Sequence, residues 1–103
     1  TSEFGRRAAS NGAGTDHGTA AAHLVLGSRV RGGRFGESPD LSRLDASGNL
    51  IHTADYRSYY ASILDEWLEI GHQDILGGSF ETLGLVGGAI APTGATRRQF
   101  LVR

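Results

Sequence analysis

The chain has 103 residues and a formal net charge of −1, and its ten cationic side chains are all arginine. Acidic residues are mixed among these arginines, so the basic surface typical of nucleic-acid-binding proteins is not expected. The absence of cysteine excludes disulfides, thiolate metal ligands and cysteine nucleophiles. Any metal site must therefore use histidine and carboxylate ligands, and no apolar run approaches the roughly 20 residues of a membrane span.

The start of the chain and its composition suggest a piece of a larger protein. The sequence begins at Thr1 and contains no methionine, and its 16 glycines raise the entropy cost of folding. Large apolar residues are few for a domain of this size, where stability is already small. We therefore expect a C-terminal segment whose first partner is the missing N-terminal part of its own domain.

The first half of the chain predicts little regular structure. Residues 1–22 are rich in Gly, Ala, Ser and Asn and predict a long loop, with a turn at Asn11-Gly12. A short buried strand is predicted near 23–26, where an apolar run follows His23 and ends at Gly27. Residues 27–54 are predicted to be mostly irregular, with room for one two-stranded ribbon.

One amphipathic helix is predicted over about 56–70. Apolar and aromatic residues recur there at spacings of three and four: Tyr56, Tyr59, Tyr60, Ile63, Leu64, Trp67 and Leu68. Asp55 is a suitable N-cap, and Gly71 fits the left-handed position after the last turn. The sequence thus indicates both ends of this helix.

The segment after the helix has no clear period. Residues 75–86 predict irregular apolar packing, and 87–103 predict a flexible tail, so the domain is expected to cover 1–86. Residues 96–101 resemble a twin-arginine export motif at the wrong terminus, without the apolar region that should follow. We interpret them as a basic, solvated tail.

Asp16 and His17 are the candidate metal ligands. They supply the oxygen and nitrogen donors that zinc or manganese accepts. Neighbouring side chains on a strand point to opposite faces, so both reach one ion only if the backbone turns between them, as the predicted loop and Gly18 would permit. Two ligands do not hold a catalytic ion, and a simple turn is the alternative interpretation.

Other polar residues offer weaker candidates. His23 and His52 could add ligands, although each is more often structural or exposed. His72 follows the predicted helix, where it is expected to act as a C-terminal cap. Arg6 and Arg57 could bind an anion, and because Arg57 opposes the helix dipole we expect a carboxylate or an anion to hold it.

No sequence motif marks a nucleophile. The phosphate-binding pattern GxxxxGK[ST], the dinucleotide pattern GxGxxG after a strand and the serine elbow GxSxG are all missing. No serine or threonine stands in a context that pairs it with a base. The sequence therefore does not support an autonomous hydrolase.

Several ordered motifs together resemble one known family. They are Ser2-Glu3-Phe4-Gly5-Arg6, Gly14-Thr15-Asp16-His17-Gly18-Thr19-Ala20, Leu26-Gly27, Val30-Arg31-Gly32-Gly33, Thr53-Ala54-Asp55-Tyr56-Arg57 and Ile75-Leu76-Gly77-Gly78. Over residues 1 to about 86 the chain resembles the closing segment of the sulfatase-like proteins of domain-of-unknown-function family 1501. That family is similar to the alkaline phosphatase and sulfatase superfamily.

The resemblance implies a C-terminal fragment of a doubly wound α/β sandwich. It implies a divalent metal (zinc, manganese or calcium), with Asp16 and His17 matching the superfamily's Asp-His ligand pair. The nucleophile and the earlier aspartate ligands would lie in upstream sequence, and neither His23 nor His52 has a secure match to the later histidine ligand. Proteins that resemble this family are often exported or periplasmic, although the compartment of this chain stays undetermined.

Three functions follow as hypotheses. The leading one is a fragment of a metal-dependent phospho- or sulfo-ester hydrolase that supplies the Asp-His pair and is inactive alone. The alternative is a non-catalytic binding or structural module that associates with a partner or a second copy through its aromatic helix. The third is a partly disordered fragment, which the glycine content favours.

Overall fold

The computed structural model describes residues 2–87 and the backbone of Thr96–Val102, which form two small sheets, two short α-helices and one π-helix. This arrangement confirms the mixed α/β class with much irregular structure. The described elements do not by themselves form a doubly wound sandwich, so that architecture stays a prediction for a larger domain.

The first sheet is a hairpin of β1 (Gly5–Ser10) and β2 (Thr15–Gly18). The strands are antiparallel, with Gly5 opposite Gly18 and Arg6 opposite His17. The connecting turn is closed by the Asn11 amide, which donates to the Gly14 carbonyl at 2.9 Å. The turn predicted at Asn11-Gly12 is confirmed, whereas the prediction of a continuous loop over 1–22 is wrong. Pairing between the two strands satisfies backbone groups in a segment that lacks an apolar alternation.

The second sheet has the strand order β3-β5-β4, formed by Ala21–Gly27, Thr96–Val102 and Gly33–Arg34. β3 pairs with β5 in antiparallel fashion, and β4 pairs with β5 in parallel. The strand predicted near 23–26 is confirmed and is slightly longer than expected, but the prediction that it is buried is wrong for Leu24 and Leu26, which are exposed. Isolated bridges such as Val30 with Val86 and Leu44 with Leu50 connect the otherwise irregular residues between β3 and the helix.

The tail predicted over 87–103 contains strand β5. Residues 88–95 and Arg103 of that tail lie outside the described residues. The backbone of Thr96–Val102, which includes the twin-arginine-like sequence, pairs with β3 along its whole length. No local sequence pattern predicts this strand, because its partner lies about 75 residues earlier in the chain and local patterns do not report such distant pairing.

The predicted helix is real but changes type after two turns. α1 covers Tyr56–Ser62 and continues directly into a π-helix over Ile63–Trp67. The N-cap prediction is confirmed, since the Asp55 carboxylate accepts from the backbone N–H of Arg57 at 2.8 Å. The helix ends earlier than predicted, and Glu69 rather than Gly71 takes a positive φ, of 55°.

A second helix, α2 (Gln73–Leu76), follows after a short bend. Gly77 ends it in the left-handed conformation with a φ of 71°, which a residue without a Cβ adopts at little cost. This single turn was not predicted, because four residues carry too little periodicity to indicate a helix.

The core lies between the inner face of α1 and residues 83–86. Tyr59, Leu85 and Val86 pack together, with partly buried Val25, Phe35, Ile63 and Leu83 around them. The opposite face of β3 is uncovered, since Leu24 is 50% and Leu26 is 65% exposed. Within the described part of the chain, none of the helices has the length and apolar character that crossing a bilayer requires.

Candidate functional site

The Asp16-His17 pair lies on strand β2 and not in a loop. The Asp16 Oδ1 atom accepts a hydrogen bond from the Asn11 side-chain amide at 2.9 Å. The His17 ring stacks on Phe4, with 4.4 Å between the ring centroids and 6° between the ring planes. Because neighbouring residues of a strand point to opposite faces, the two side chains do not converge as the predicted loop would have allowed.

Two glycines determine where this pair lies. A Cβ atom at Gly18 would stand 2.6 Å from the Arg6 carbonyl carbon, and one at Gly5 would stand 2.3 Å from the Ala20 nitrogen. Real Cβ atoms essentially never come this close to backbone, so a side chain at either position would push the strands apart. The hairpin therefore holds Asp16 and His17 in place through close backbone packing.

A cleft of about 500 Å³ opens beside the end of β2. It is lined by the following residues: Ser2, Glu3, Gly18, Thr19, His23, Tyr56, Tyr59 and Tyr60. Helix α1 contributes the three tyrosines, and β3 contributes His23. The residues that follow the Asp-His pair thus form one wall of the cleft, and the aromatic helix forms another.

His23 and Tyr59 are the buried members of the cleft. Their rings meet edge to face, with centroids 5.7 Å apart. Burial disfavours a charge on both groups, so it lowers the pKa of His23 and raises the pKa of Tyr59. Near pH 7 the imidazole is therefore neutral and the phenol keeps its proton.

The histidines predicted as further ligands lie in different places. His23 belongs to the tyrosine cleft, whereas exposed His52 lines a separate groove with Asp40 and Arg43. In residues 2–87 no group of three or more His, Asp or Glu side chains is placed to hold a metal ion. The ligand assignments of Asp16, His17, His23 and His52 therefore stay predictions.

The two candidate anion-binding arginines have partners within the chain. The Arg6 guanidinium donates to the Thr15 carbonyl at 2.8 Å. Arg57 donates through Nε and NH2 to the two carboxylate oxygens of Asp55, at 3.0 and 2.7 Å. Asp55 is the carboxylate that the unfavourable helix position of Arg57 led us to expect.

His72 does not cap the preceding helix as predicted. It is 3% exposed, and its Nδ1 atom lies 2.7 Å from an Asp65 carboxylate oxygen. Its Nε2 atom accepts from the Phe80 amide at 3.0 Å, which places the ring proton on Nδ1. His72 thus connects the π-helix to the segment after α2, and its position in sequence gave no signal of Phe80 as a partner.

The cleft is not predicted by the sequence. The spacing of the three tyrosines predicts the packing face of a helix, which holds for Tyr59 alone. Tyr56 and Tyr60 are exposed, with rings 6.0 Å apart and nearly perpendicular. One sequence signal for the cleft was available. Tyr56 and Tyr60 are four residues apart and so lie side by side on the helix surface, which is wider than the part that one buried face can cover.

The described fold and site define a mixed α/β segment with an exposed Asp-His pair beside an aromatic cleft. The family model described as "Protein of unknown function (DUF1501)" matches residues 1–74, well over half of the chain. The chain belongs to the DUF1501 family, which confirms the family expected from its motifs. No curated protein and no solved structure matches the chain significantly.

Proposed function

We propose that this chain supplies Asp16 and His17 as part of a divalent-metal site in a phospho- or sulfo-ester hydrolase. The observation that carries the proposal is the exposed, adjacent Asp-His pair on a strand positioned by Gly5 and Gly18. In this proposal the nucleophile and the other metal ligands come from a further part of the same domain. The 103-residue chain alone is inactive.

The Asp16 carboxylate and the His17 imidazole are chemically suitable metal ligands, but two ligands are too few to hold a catalytic ion. Carboxylate oxygen and imidazole nitrogen suit zinc or manganese, and an oxygen ligand also suits calcium. Because Asp16 and His17 lie on opposite faces of β2, they can bind two neighbouring ions, one each. Alternatively, one of them binds an ion whose other ligands come from a further part of the domain. When bound, the metal would polarise the ester and activate the nucleophile. The side-chain amide of Asn11 orients the Asp16 carboxylate through a hydrogen bond, and the Phe4 ring orients the His17 ring by stacking on it.

The proposal includes membership of the alkaline phosphatase and sulfatase superfamily and its doubly wound α/β sandwich. Sheets of that architecture are covered by helices on both faces. The apolar Leu24 and Leu26 face of β3 is exposed in this chain and suits such a cover. The remainder of the domain is therefore the proposed partner of this face.

The test uses the full protein that contains this segment, with Asp16→Ala and His17→Ala variants. Bound zinc, manganese and calcium are measured by elemental analysis, and hydrolysis is measured with p-nitrophenyl phosphate and p-nitrophenyl sulfate. We expect each variant to lose metal affinity by at least about tenfold, together with activity. Asp74→Ala removes an exposed carboxylate of α2 and should leave both readouts unchanged.

Two outcomes would contradict the proposal. If both variants of the full protein keep their metal and turnover, the Asp-His pair is not a ligand pair. If the isolated 103-residue chain hydrolyses either ester and Asp16→Ala abolishes that turnover, then the pair is functional but the claim of an incomplete site is wrong.

A second candidate function is a non-catalytic module that associates through its aromatic helix. The observation that favours it is the exposed apolar surface at the end of the π-helix. Trp67 is 62% exposed, and Leu68, Ile70 and Ile75, which follow it in the chain, are exposed as well. Such surface commonly marks an interface, and a second copy of the chain is the proposed occupant.

A further inference from the structure

The tyrosine cleft has the wall geometry of an aromatic cage. The Tyr56 and Tyr60 rings are inclined at 86° with centroids 6.0 Å apart, and the Tyr59 and Tyr60 rings are inclined at 36° at 5.5 Å. The Tyr60 ring therefore contacts both other rings, at two different inclinations. Tyr59 is held in the core, which fixes one wall, while Tyr56 and Tyr60 remain exposed to a ligand.

The charges along the cleft favour a cation. Its described lining contains one carboxylate, that of Glu3, and no lysine or arginine. The one titratable base is His23, which burial keeps neutral near pH 7. The faces of the exposed Tyr56 and Tyr60 rings carry partial negative charge that adds to the carboxylate, so the charged groups of the lining favour a cation over an anion.

We propose that this cleft binds an organic cation of the quaternary ammonium class. The faces of tyrosine rings attract such a cation, which has no N–H groups that would require hydrogen-bond acceptors. A strongly hydrated ammonium group, by contrast, needs several polar partners to leave water. The cleft volume of about 500 Å³ lies within the range of small-molecule sites.

The neighbouring cation does not occupy this site. The Arg57 guanidinium lies 5.8 Å from the Tyr56 ring centroid, but both Asp55 oxygens bind it and it stacks at 4.7 Å over Phe80. Arg57 is also outside the cleft lining. Because Arg57 already contacts the Tyr56 ring, Tyr56 contributes less to the binding of a ligand cation. Of the two exposed rings, Tyr60 therefore contributes more.

The binding site does not depend on the proposed metal pair. It is therefore tested in the full chain with EDTA present, by titrating choline chloride and following the tyrosine ring signals by NMR. The matched probe is 3,3-dimethylbutanol, which has the shape of choline without its charge. We expect saturable choline binding that is at least about threefold tighter than binding of the neutral probe, since one cation–π contact contributes about 0.5–1 kcal/mol at an exposed site.

Variants distinguish binding in the tyrosine cleft from nonspecific binding to exposed aromatic residues. Tyr60→Leu should weaken choline binding about three- to tenfold, whereas Tyr60→Phe keeps the ring face and should bind nearly as well as the original protein. Glu3→Gln should also weaken binding without removing it. Trp67→Leu removes an exposed aromatic residue outside the cleft and should change nothing.

Equal binding of choline and its neutral analogue would overturn the proposal, and so would an absence of saturable binding. Equal effects of Tyr60→Leu and Trp67→Leu would overturn it as well. If Tyr60→Leu fails to fold, Glu3→Gln and the comparison of choline with its neutral analogue still distinguish a cation site from a nonspecific surface. Loss of metal in Asp16→Ala has no bearing on this result, so the two proposals fail independently.

Discussion

Asp55 binds the first turn of helix α1 and the Arg57 side chain, and Arg57 in turn contacts the distant Phe80 ring. One carboxylate oxygen accepts from the backbone N–H and from Nε of Arg57, and the other oxygen accepts from NH2. The guanidinium then lies over Phe80, beyond the end of α2. A single N-cap residue thus orients a contact between two separate parts of the chain.

The Asp55 carboxylate should stabilise the protein in a pH-dependent way. Hydrogen bonds from Arg57 lower the pKa of Asp55 from 3.8 to about 2. Since the folded state favours the ionised form, this contribution is present above about pH 4 and is lost as the pH falls through 2. Asp55→Ala should lower the free energy of unfolding by about 1 kcal/mol at pH 7. The half-exposed ion pair adds little to that value.

Urea unfolding at pH 7, 4 and 2, followed by circular dichroism, measures this difference. The gap between the original protein and Asp55→Ala should narrow towards pH 2. Glu81→Ala, which removes an exposed carboxylate, serves as the control and should show no gap at any pH. A gap of constant size from pH 7 to pH 2 would mean that the ionised carboxylate is not its source.

At the scale of elements, the π-helix holds the segment that follows α2. The two Glu66 carboxylate oxygens accept from the amides of Gly84 and Val86, at 2.8 and 2.9 Å. One turn earlier, the Ser62 hydroxyl accepts from the Leu83 amide and donates to the Ser58 carbonyl. The irregular residues that carry core side chain Leu85 are therefore anchored by polar side chains of one helix face.

Removing the Glu66 carboxylate should release this segment. Glu66→Ala leaves two part-buried amides without their acceptor, and the expected loss of stability is about 2 kcal/mol. Hydrogen exchange should accelerate most at the Gly84 and Val86 amides. Glu37→Ala, at an exposed position before the helix, is the control. Unchanged exchange at both amides would show that the loop holds its conformation without Glu66.

The sequence predicted the helix and its first residue but not its interior or its end. Spacings of three and four indicate helix, and Asp55 marks the N-cap, because both signals are local. The π-turn and the early end at Trp67 occur where Glu66 and His72 accept hydrogen bonds from backbone amides of residues 80–86, and no local pattern reports such distant partners. Asp16 and His17 could likewise be named from the sequence, whereas their opposite orientations follow from pairing with β1.

Two groups of exposed apolar side chains among residues 2–87 bear on how the whole molecule assembles. One is Leu24 and Leu26 on the outer face of β3, and the other is Trp67 at the end of the π-helix with the apolar residues that follow it in the chain. These surfaces lie on different elements, so one occupant need not cover both. A further part of the domain suits the sheet face, and a second copy suits the helix end.

The second candidate function predicts a dimer through the Trp67 surface. Sedimentation velocity should then show a monomer that gives way to a dimer with increasing concentration, with no effect of added zinc or manganese. Trp67→Ser should shift the equilibrium to the monomer, because buried aromatic residues contribute most to such interfaces. Leu41→Ser, at an apolar residue that is 67% exposed elsewhere, should leave it unchanged. A monomer at every concentration would exclude this function for the chain.

The glycine contacts of the hairpin limit how the Asp16-His17 pair could be transplanted. Since Gly5 lies close to the Ala20 backbone and Gly18 lies close to the Arg6 backbone, the orientation of the pair depends on the whole hairpin and not on a tetrapeptide alone. A designer who copied only Thr15–Gly18 into another scaffold would transfer the donor atoms without their orientation. Because the Phe4 ring stacks on His17, the smallest unit that can be grafted runs from Phe4 to Ala20.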